Sequence, residues 1–307
     1  MPNDLQPSEK NLPEKPPVEK PLTAAFSLDA YTPEQMAHRV ETVGIAKASL
    51  PTLPLLALSI LAGAFIAFGA MLFTVVMTHH GLGFGIARLI GGLAFSLGLI
   101  LVVVGGAELF TGNVLLAMGW ADRKISTAAL LRNWSIAYFG NFVGAVGMAI
   151  LAHRAGLTLL DGGAVGATAI KLAQAKVALP FWPAFFKGIL CNALVCLAVW
   201  LCFAARGVAD KILAIVFPIT AFVTLGFEHS IANMYFVPMG MLAATDGGAT
   251  AGLGGVVRNW MPGAAVGIAL DIAGMIRNLV PVTLGNIVGG GVFVALSYYV
   301  IYLRPRK

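Results

Sequence analysis

The octapeptide Gly106-Ala107-Glu108-Leu109-Phe110-Thr111-Gly112-Asn113 has a second copy, Gly226-Phe227-Glu228-His229-Ser230-Ile231-Ala232-Asn233, further along the chain. Both copies read Gly-x-Glu-x-x-x-x-Asn. Each lies in the middle of an apolar run, residues 89–119 and 212–244, that exceeds the roughly 20 residues of one membrane-spanning helix. An ionisable group is costly there. We therefore predict two helices that break at mid-membrane, as expected where a substrate crosses.

The composition indicates a multi-pass membrane protein. Only 11% of the 307 residues are charged and the mean hydropathy is +0.85, whereas about a quarter of the residues of a soluble domain are charged. The net charge of +6 is not accompanied by a basic patch interleaved with exposed aromatic residues, which argues against a nucleic-acid partner. Basic loops beside spans in a lipid bilayer account for it better.

Three regions are predicted along the chain. Residues 1–30 hold six prolines before Leu22 and alternate Lys with Glu, so they are expected to form a disordered, proline-rich cytoplasmic tail. Residues 31–50 are expected to form an amphipathic helix on the membrane face, starting at a capping box between Thr32 and Gln35. Its role as an anchor or as a gate stays open. Residues 51–307 are expected to form the transport domain.

Six spans are predicted in that domain, namely residues 55–78, 89–119, 133–152, 183–205, 212–244 and 278–303. The second and fifth are the broken runs, and residues 153–180 are interpreted as a mixed loop. An even number of spans places both termini on one side of the membrane. Near the span ends, ten Lys and Arg residues lie on the side of the termini and seven lie on the other side. This distribution predicts cytoplasmic N and C termini in the inner (plasma) membrane.

The third and sixth spans also repeat each other. Asn133 and Asn278 are each followed after the same interval by a Gly-Asn pair and a GxxxG motif, Gly140 to Gly144 and Gly285 to Gly289, which lets helix backbones approach closely. Each half of the domain therefore has three spans. Because three is odd, the second half enters from the opposite face. The predicted fold is an all-α bundle with a 3+3 inverted repeat.

Two half-helix starts that converge from opposite sides attract an anion, since their N–H groups and dipoles point at it. Thr111 and Ser230 are predicted to cap these starts. His229 adds a titratable donor near physiological pH. Because carboxylates would repel an anion, Glu108 and Glu228 are interpreted as structural, either accepting backbone N–H groups at the breaks or pairing with nearby donors.

Polar asparagines in the third and sixth spans are interpreted as interhelical hydrogen bonders, except Asn286, which is predicted to face the pore. The remaining histidines lie near span ends and offer no facing pair for haem. No credible set of metal ligands is present either. We therefore expect no cofactor and no enzymatic activity.

These residues resemble the formate/nitrite transporter family over nearly the whole of residues 31–303. The resemblance rests on the two octapeptides and on three further segments: Tyr138-Phe139-Gly140-Asn141, Asn192-Ala193-Leu194-Val195-Cys196-Leu197-Ala198-Val199-Trp200, and Asn278-Leu279-Val280-Pro281-Val282-Thr283-Leu284-Gly285-Asn286-Ile287-Val288-Gly289-Gly290.

Membership in that family implies an aquaporin-like bundle assembled as a homopentamer, with one pore in each protomer. It implies passage of small monovalent anions, such as formate, nitrite, acetate, lactate or hydrosulfide. By similarity, Thr111 and His229 face each other at the pore centre. The constriction residues implied are Leu109, Phe110 and Phe222. The anion-attracting residues implied are Lys176 and Asn192, with Lys171 close enough to leave the choice of lysine open.

The function predicted is pH-dependent transport of a small weak-acid anion, formate above the others. An apolar constriction disfavours the bare anion, so one hypothesis has the anion take a proton, directly or through water from His229, and cross as the neutral acid. The competing hypothesis has protonated His229 stabilise the anion itself. Nitrite, hydrosulfide or lactate are alternative substrates. A neutral-solute channel of aquaporin type is disfavoured, because the paired Asn-Pro-Ala motifs are absent.

Overall fold

The computed structural model describes residues 29–245 and 270–304, which contain α-helices, 3₁₀ and π turns and no strand. In chain order the α-helices are α1 Pro33–Ala48, α2 Thr52–Val76, α3 Phe84–Gly105, α4 Phe110–Asn113, α5 Ala117–Ala121, α6 Thr127–Arg154, α7 Ala164–Val177, α8 Phe181–Ala204, α9 Val208–Thr224, α10 Ser230–Ala243 and α11 Ile272–Val288. Two π-helical segments, Gly289–Leu296 and Tyr299–Leu303, continue α11.

The described residues include five helices that are long and apolar enough to cross a membrane. They are α2, α3, α6, α8 and the continuous stretch Ile272–Leu303. The protein is therefore an all-helical, multi-pass membrane protein, as predicted from its composition. Helices α9 and α10 are shorter, with 17 and 14 residues, because they are the two parts of one interrupted apolar run.

Both apolar runs that carry the repeated octapeptide are broken. Helix α3 ends at Gly105, Gly106 has a φ of +76°, and the chain resumes as a helix at Phe110. Helix α9 ends at Thr224, Gly226 has a φ of +71°, and α10 begins at Ser230. Only glycine adopts these left-handed values readily, so each octapeptide begins where its helix must stop.

Glycines on α6 and α11 bring the helices that support the breaks into close contact with their neighbours. A Cβ on Gly144 would lie 2.0 Å from the carbonyl oxygen of Ile60 in α2. A Cβ on Gly289 would lie 2.1 Å from the carbonyl oxygen of Ile189 in α8. No side chain fits at these distances, so the two GxxxG motifs set the spacing of both helix pairs.

The structure differs from the sequence prediction in residues 153–180. The segment interpreted as a mixed loop contains α7, a helix of 14 residues. Its buried residues recur at helical spacing, and they are Val165, Gly166, Ala169, Ile170, Ala173 and Val177. The amphipathic helix near the N terminus is α1, which begins at Pro33 with the capping box between Thr32 and Gln35.

Two predicted segments lie largely or wholly outside the described residues. The proline-rich tail falls on residues 1–28 except for its last two positions, and most of the glycine-rich segment before the sixth span falls on residues 246–269.

Candidate functional site

The first break is held by Glu108 through both its backbone and its side chain. Its N–H donates to the carbonyl oxygen of Leu58 at 3.2 Å, and its carbonyl oxygen accepts from Asn141 Nδ2 at 2.9 Å. Its carboxylate accepts from Asn113 Nδ2 at 2.8 Å and pairs with Lys47 Nζ at 2.9 Å. Glu108 is buried, so these contacts supply the hydrogen bonds that water cannot.

The second break repeats this arrangement around Glu228. Its N–H donates to the carbonyl oxygen of Lys187 at 3.3 Å, and its carbonyl oxygen accepts from Asn286 Nδ2 at 3.0 Å. Its carboxylate accepts from Asn233 Nδ2 at 2.6 Å, and both its oxygens lie 3.2 Å from Lys176 Nζ. Each glutamate thus pairs with an asparagine five residues later and with a lysine from a short helix.

Two further asparagines fix the helix that follows each break. Asn141 Oδ1 accepts the N–H of Phe110 at 2.8 Å, and Asn286 Oδ1 accepts the N–H of Ser230 at 2.9 Å. Asn286 Nδ2 also donates to the carbonyl oxygen of Gly188 at 2.8 Å. Asn286 borders neither of the cavities described below. Its contacts therefore favour a role in holding the break over the predicted position facing the pore.

The prediction that Thr111 and Ser230 cap the restarting helices is wrong. The N-cap residues are Leu109 and His229, and only His229 makes a side-chain cap, with Nδ1 accepting the N–H of Ala232 at 3.1 Å. Thr111 instead lies in the first turn of α4. The hydroxyl-cap rule fails here because asparagines from other helices accept the first N–H of α4 and of α10, and His229 itself caps α10.

His229 and Thr111 bring the two breaks into contact. His229 Nε2 lies 3.0 Å from Thr111 Oγ1, and both residues are buried. Because Nδ1 accepts a backbone N–H, the proton of the neutral ring resides on Nε2. Nε2–H therefore donates to the threonine hydroxyl. A second proton on Nδ1 requires the loss of the cap to Ala232.

Asn192 on α8 links the first break to α11. Its Nδ2 donates to the carbonyl oxygens of Thr111 at 3.2 Å and of Asn286 at 2.6 Å. Its Oδ1 is buried and has no partner among the described residues. Both N–H groups are thus used within the protein, and the free polar atom is an acceptor.

Leu109, Phe110 and Phe222 are all buried and surround the contact between the breaks. The Phe222 ring stacks on the His229 ring with centroids 6.0 Å apart, and Phe110 meets Tyr138 edge-on at 5.0 Å. These apolar groups enclose the imidazole and the hydroxyl.

A cavity opens at each break. The first-break cavity has a volume of 470 Å³ and is bordered by Lys47, Glu108 and Leu109. The second-break cavity has a volume of 190 Å³ and is bordered by Lys176, Glu228 and His229. Lys171 is not among the residues that border it. Of the two candidate lysines, the structure therefore places Lys176 at the cavity.

Comparison with known proteins accounts for this geometry. The family model of the formate/nitrite transporter matches residues 34–300. The chain belongs to the formate/nitrite transporter family. Within this family it is 40% identical over 289 residues to the formate channel FocA of Escherichia coli strain K12, covering 93% of this chain and 99% of the relative.

Two further matches support membership in the formate/nitrite transporter family. A probable formate transporter of Methanothermobacter thermautotrophicus is 39% identical over 290 residues, covering 89% of this chain and 97% of the relative. A solved structure, described as a pentameric formate channel with formate bound, matches with a TM-score of 0.74 and 42% identity. That match covers 82% of this chain and 98% of the solved chain.

Sequence reasoning missed one functional candidate of this family member. Lys47 was not assigned a role, although it ends a short helix as Lys176 does. The carbonyl oxygens of Lys47 and Lys176 also accept equivalent hydrogen bonds, from Asn133 at 3.0 Å and from Asn278 at 2.8 Å. The available signal was the helical spacing in residues 164–177, which would have revealed α7 as a counterpart of α1.

Proposed function

We propose that this protein carries formate across the membrane through a path between its two helix breaks. The contact between His229 and Thr111 is the observation that supports this most directly. It is a polar pair enclosed by Phe110 and Phe222, with a cavity bordered by a lysine on either side. A small anion can be drawn into such cavities, and only a small, partly neutralised solute can pass an apolar constriction.

The proposed architecture is six spans in a 3+3 inverted repeat, with both breaks at mid-membrane. The matching hydrogen bonds around Glu108 and Glu228 support it, because two halves of one repeat place equivalent residues in equivalent contacts. We further propose a homopentamer in the inner membrane with cytoplasmic termini. The relative described as a pentameric formate channel supports the pentamer, and the distribution of Lys and Arg supports the orientation.

The proposed mechanism is passage as the neutral acid. Formate enters the second-break cavity, where desolvation beside apolar walls favours its protonated form. The proton comes from the bulk solution, or from His229 Nε2–H while Nδ1 takes up another proton. The second route costs the cap to Ala232, a bond worth about 1 kcal/mol. The neutral acid then passes between Phe222 and Phe110, where Thr111 and His229 supply hydrogen bonds in place of water.

The competing mechanism, in which protonated His229 stabilises the bare anion throughout, fits the contacts less well. It requires a lasting proton on Nδ1, and therefore the permanent loss of the bond to the N–H of Ala232 at the start of α10. It also places a second cation near Lys176, which borders the same cavity.

The two mechanisms differ in the proton flux that accompanies formate. The test uses proteoliposomes with a pH-sensitive dye inside, to which formate is added at two external pH values. Uptake of formic acid acidifies the interior in proportion to the labelled formate taken up. A membrane current carried by formate without acidification would eliminate passage as the neutral acid. Liposomes without protein supply the background permeability.

Nitrite, hydrosulfide and lactate remain candidate substrates on the same path, because they too are small anions of weak acids. A panel of these ions in the same liposomes ranks them against formate. Glycerol serves as the neutral solute, and swelling in glycerol but not in ammonium formate would identify an aquaporin-like channel instead. The proposal assigns no catalysis and no cofactor.

A further inference from the structure

The second-break cavity is bordered by three cations and one carboxylate, which are Arg88, Lys176, Lys187 and Glu228. Lys176 is the residue that family resemblance assigns to anion attraction. However, both oxygens of Glu228 lie 3.2 Å from its Nζ. The pair is close to neutral when seen from the cavity, so Lys176 alone does not explain an attraction for anions.

Neither of the other two cations at this cavity forms an ion pair with a carboxylate of the described residues. In the part of the chain that the structure describes, Lys187 makes no ion pair and no side-chain hydrogen bond. Arg88 donates to two backbone carbonyl oxygens at the end of α9, to Val223 at 2.9 Å and to Thr224 at 3.3 Å. These carbonyls carry only partial charges, so Arg88 retains a net positive charge beside the cavity.

Neither cation is required by the architecture of a helix break. The carbonyl oxygen of Lys187 accepts the N–H of Glu228, and the equivalent bond at the first break goes from Glu108 to Leu58. An uncharged side chain therefore serves the same backbone contact. Lys187 is nonetheless held in place by that bond, which fixes its backbone at the edge of the 190 Å³ cavity.

Arg88 likewise has no counterpart at the first break. The carbonyl oxygens of Val103 and Val104, which occupy the positions of Val223 and Thr224, accept no side-chain hydrogen bond from any described residue. The first break lacks this contact with its helix end, although Arg39, Arg206 and Lys211 also border its cavity. Both positive charges are therefore additions to a frame that forms without them.

We propose that Lys187 and Arg88 form an anion-recruiting site at the second-break cavity, for formate and other small monovalent carboxylates and oxoanions. This inference rests on the proposed function. Two unpaired cations beside a small cavity with apolar walls raise the local concentration of anions before they reach His229. Lys176 and Glu228 then act as a neutral pair that holds α7 to the break.

The test measures labelled formate uptake into right-side-out membrane vesicles, in which all channels share one orientation, and efflux from the same vesicles. Lys187→Gln is expected to raise the KM about three- to fivefold for the direction that starts at the second-break cavity, with an unchanged maximum rate. Lys187→Arg is expected to restore the KM. Lys171→Gln is the matched control, because it removes an α7 charge that does not border the cavity, and it should leave both directions unchanged.

Arg88 is tested with a pair of substitutions that separates charge from backbone contact. Arg88→Lys keeps the charge and is expected to keep the KM, whereas Arg88→Gln is expected to raise it as Lys187→Gln does. Raising the sodium HEPES concentration from about 10 to 100 mM shortens the screening length from about 30 to 10 Å. The KM of the wild-type protein should rise with this change, and the KM of the double glutamine variant should not.

The outcomes separate the site from the function on which it rests. If wild-type vesicles take up no formate, the proposed function fails before the variants are compared. If uptake is normal and Lys187→Gln has the wild-type KM and salt dependence in both directions, the recruiting site is refuted. An equal rise of KM in Lys171→Gln would also refute it, because the effect would then come from general surface charge.

Discussion

The first and second breaks have the same frame of hydrogen bonds. Glu108 binds Asn113 at 2.8 Å and Lys47 at 2.9 Å, while Glu228 binds Asn233 at 2.6 Å and Lys176 at 3.2 Å. In each case another helix supplies the asparagine that accepts the first N–H of the restarting helix. These hydrogen bonds replace the backbone hydrogen bonds that are lost where a helix is interrupted inside a membrane.

The second break adds three groups that the first lacks. His229 caps α10 where Leu109 cannot cap α4. Arg88 binds the end of α9, and Lys187 stands where the first break has Leu58. Since the first break forms without them, we propose that these additions serve transport as well as making their contacts at the second break. The comparison therefore separates the frame from the chemistry within one chain.

The largest difference expected between the breaks concerns their glutamates. Glu228→Gln leaves Lys176, whose side chain is 15% exposed, without a counter-charge, and should lower the free energy of unfolding by about 3 kcal/mol. Glu108→Gln leaves Lys47 of α1, which is 29% exposed, without a counter-charge. That lysine can turn toward water, so the expected loss is about 1 kcal/mol.

Thermal unfolding of the purified protein in detergent measures both effects. Because glutamine keeps the size of the side chain and can still accept from the neighbouring asparagine, the change isolates the charge. Equal losses at the two breaks would contradict the view that Lys47 turns toward water more readily than Lys176 does.

The sequence was sufficient to predict both breaks, because the repeated glutamate and the length of the apolar runs are visible without a structure. It was less decisive for α7, since Val165, Ala169 and Ala173 recur at helical spacing but are separated by Gly166 and Lys171, which are common in loops. Tertiary packing against α10 decides that segment: a Cβ on Gly240 would lie 2.3 Å from Ala173 Cβ. Such contacts between distant segments cannot be predicted from local periodicity.

Within the site, sequence reasoning selected His229 and Thr111 but assigned Asn286 to the pore. The sequence leaves that assignment open, because an asparagine that faces a pore and one that binds a broken backbone have the same sequence signal. Only the structure shows that Asn286 Nδ2 is used by the carbonyl oxygens of Gly188 and Glu228. The charges of Arg88 and Lys187 were counted for orientation and were not connected to the cavity.

The cap at the second break can be changed to resemble the first. His229→Leu reproduces the residue type of Leu109, and it should lower the free energy of unfolding by about 1 to 2 kcal/mol through loss of the bond to Ala232. His229→Asn retains a capping oxygen and should keep stability within about 0.5 kcal/mol. Both variants should lose the pH dependence of formate uptake. A normal pH profile in His229→Asn would remove the imidazole from the proton path.

Arg88→Lys removes the bond to two carbonyl oxygens while it keeps the charge. The expected loss of unfolding free energy is about 1 kcal/mol. The guanidinium makes two hydrogen bonds at this partly buried site, whereas the ammonium group of a lysine makes at most one. Arg154→Lys, the same change at an exposed position, is the control and should leave the free energy of unfolding unchanged. The end of α9 should also exchange its amide hydrogens faster in Arg88→Lys, and unchanged exchange there would show that Arg88 does not hold the break.

The smallest effect concerns how α1 is held beside the first break. Lys124 Nζ binds Glu41 of α1 at 2.7 Å and Asp122 at 2.9 Å. The hydrogen bond from Lys124 lowers the pKa of Asp122 below its ordinary value. A lowered pKa means that Asp122 contributes stability above the unfolded value of about 3.9 and loses it as the pH falls through the folded value. Since Lys124 is half exposed, the contribution is about 0.5 kcal/mol.

Amide exchange of residues 33–48, corrected for the intrinsic rate, should therefore accelerate between pH 6 and about pH 3 in the wild-type protein. In Lys124→Gln, exchange should already be faster at pH 6 and should change less with acid. If acid releases α7, which lacks this contact, as readily as α1, the acid effect is general and Asp122 is not its cause.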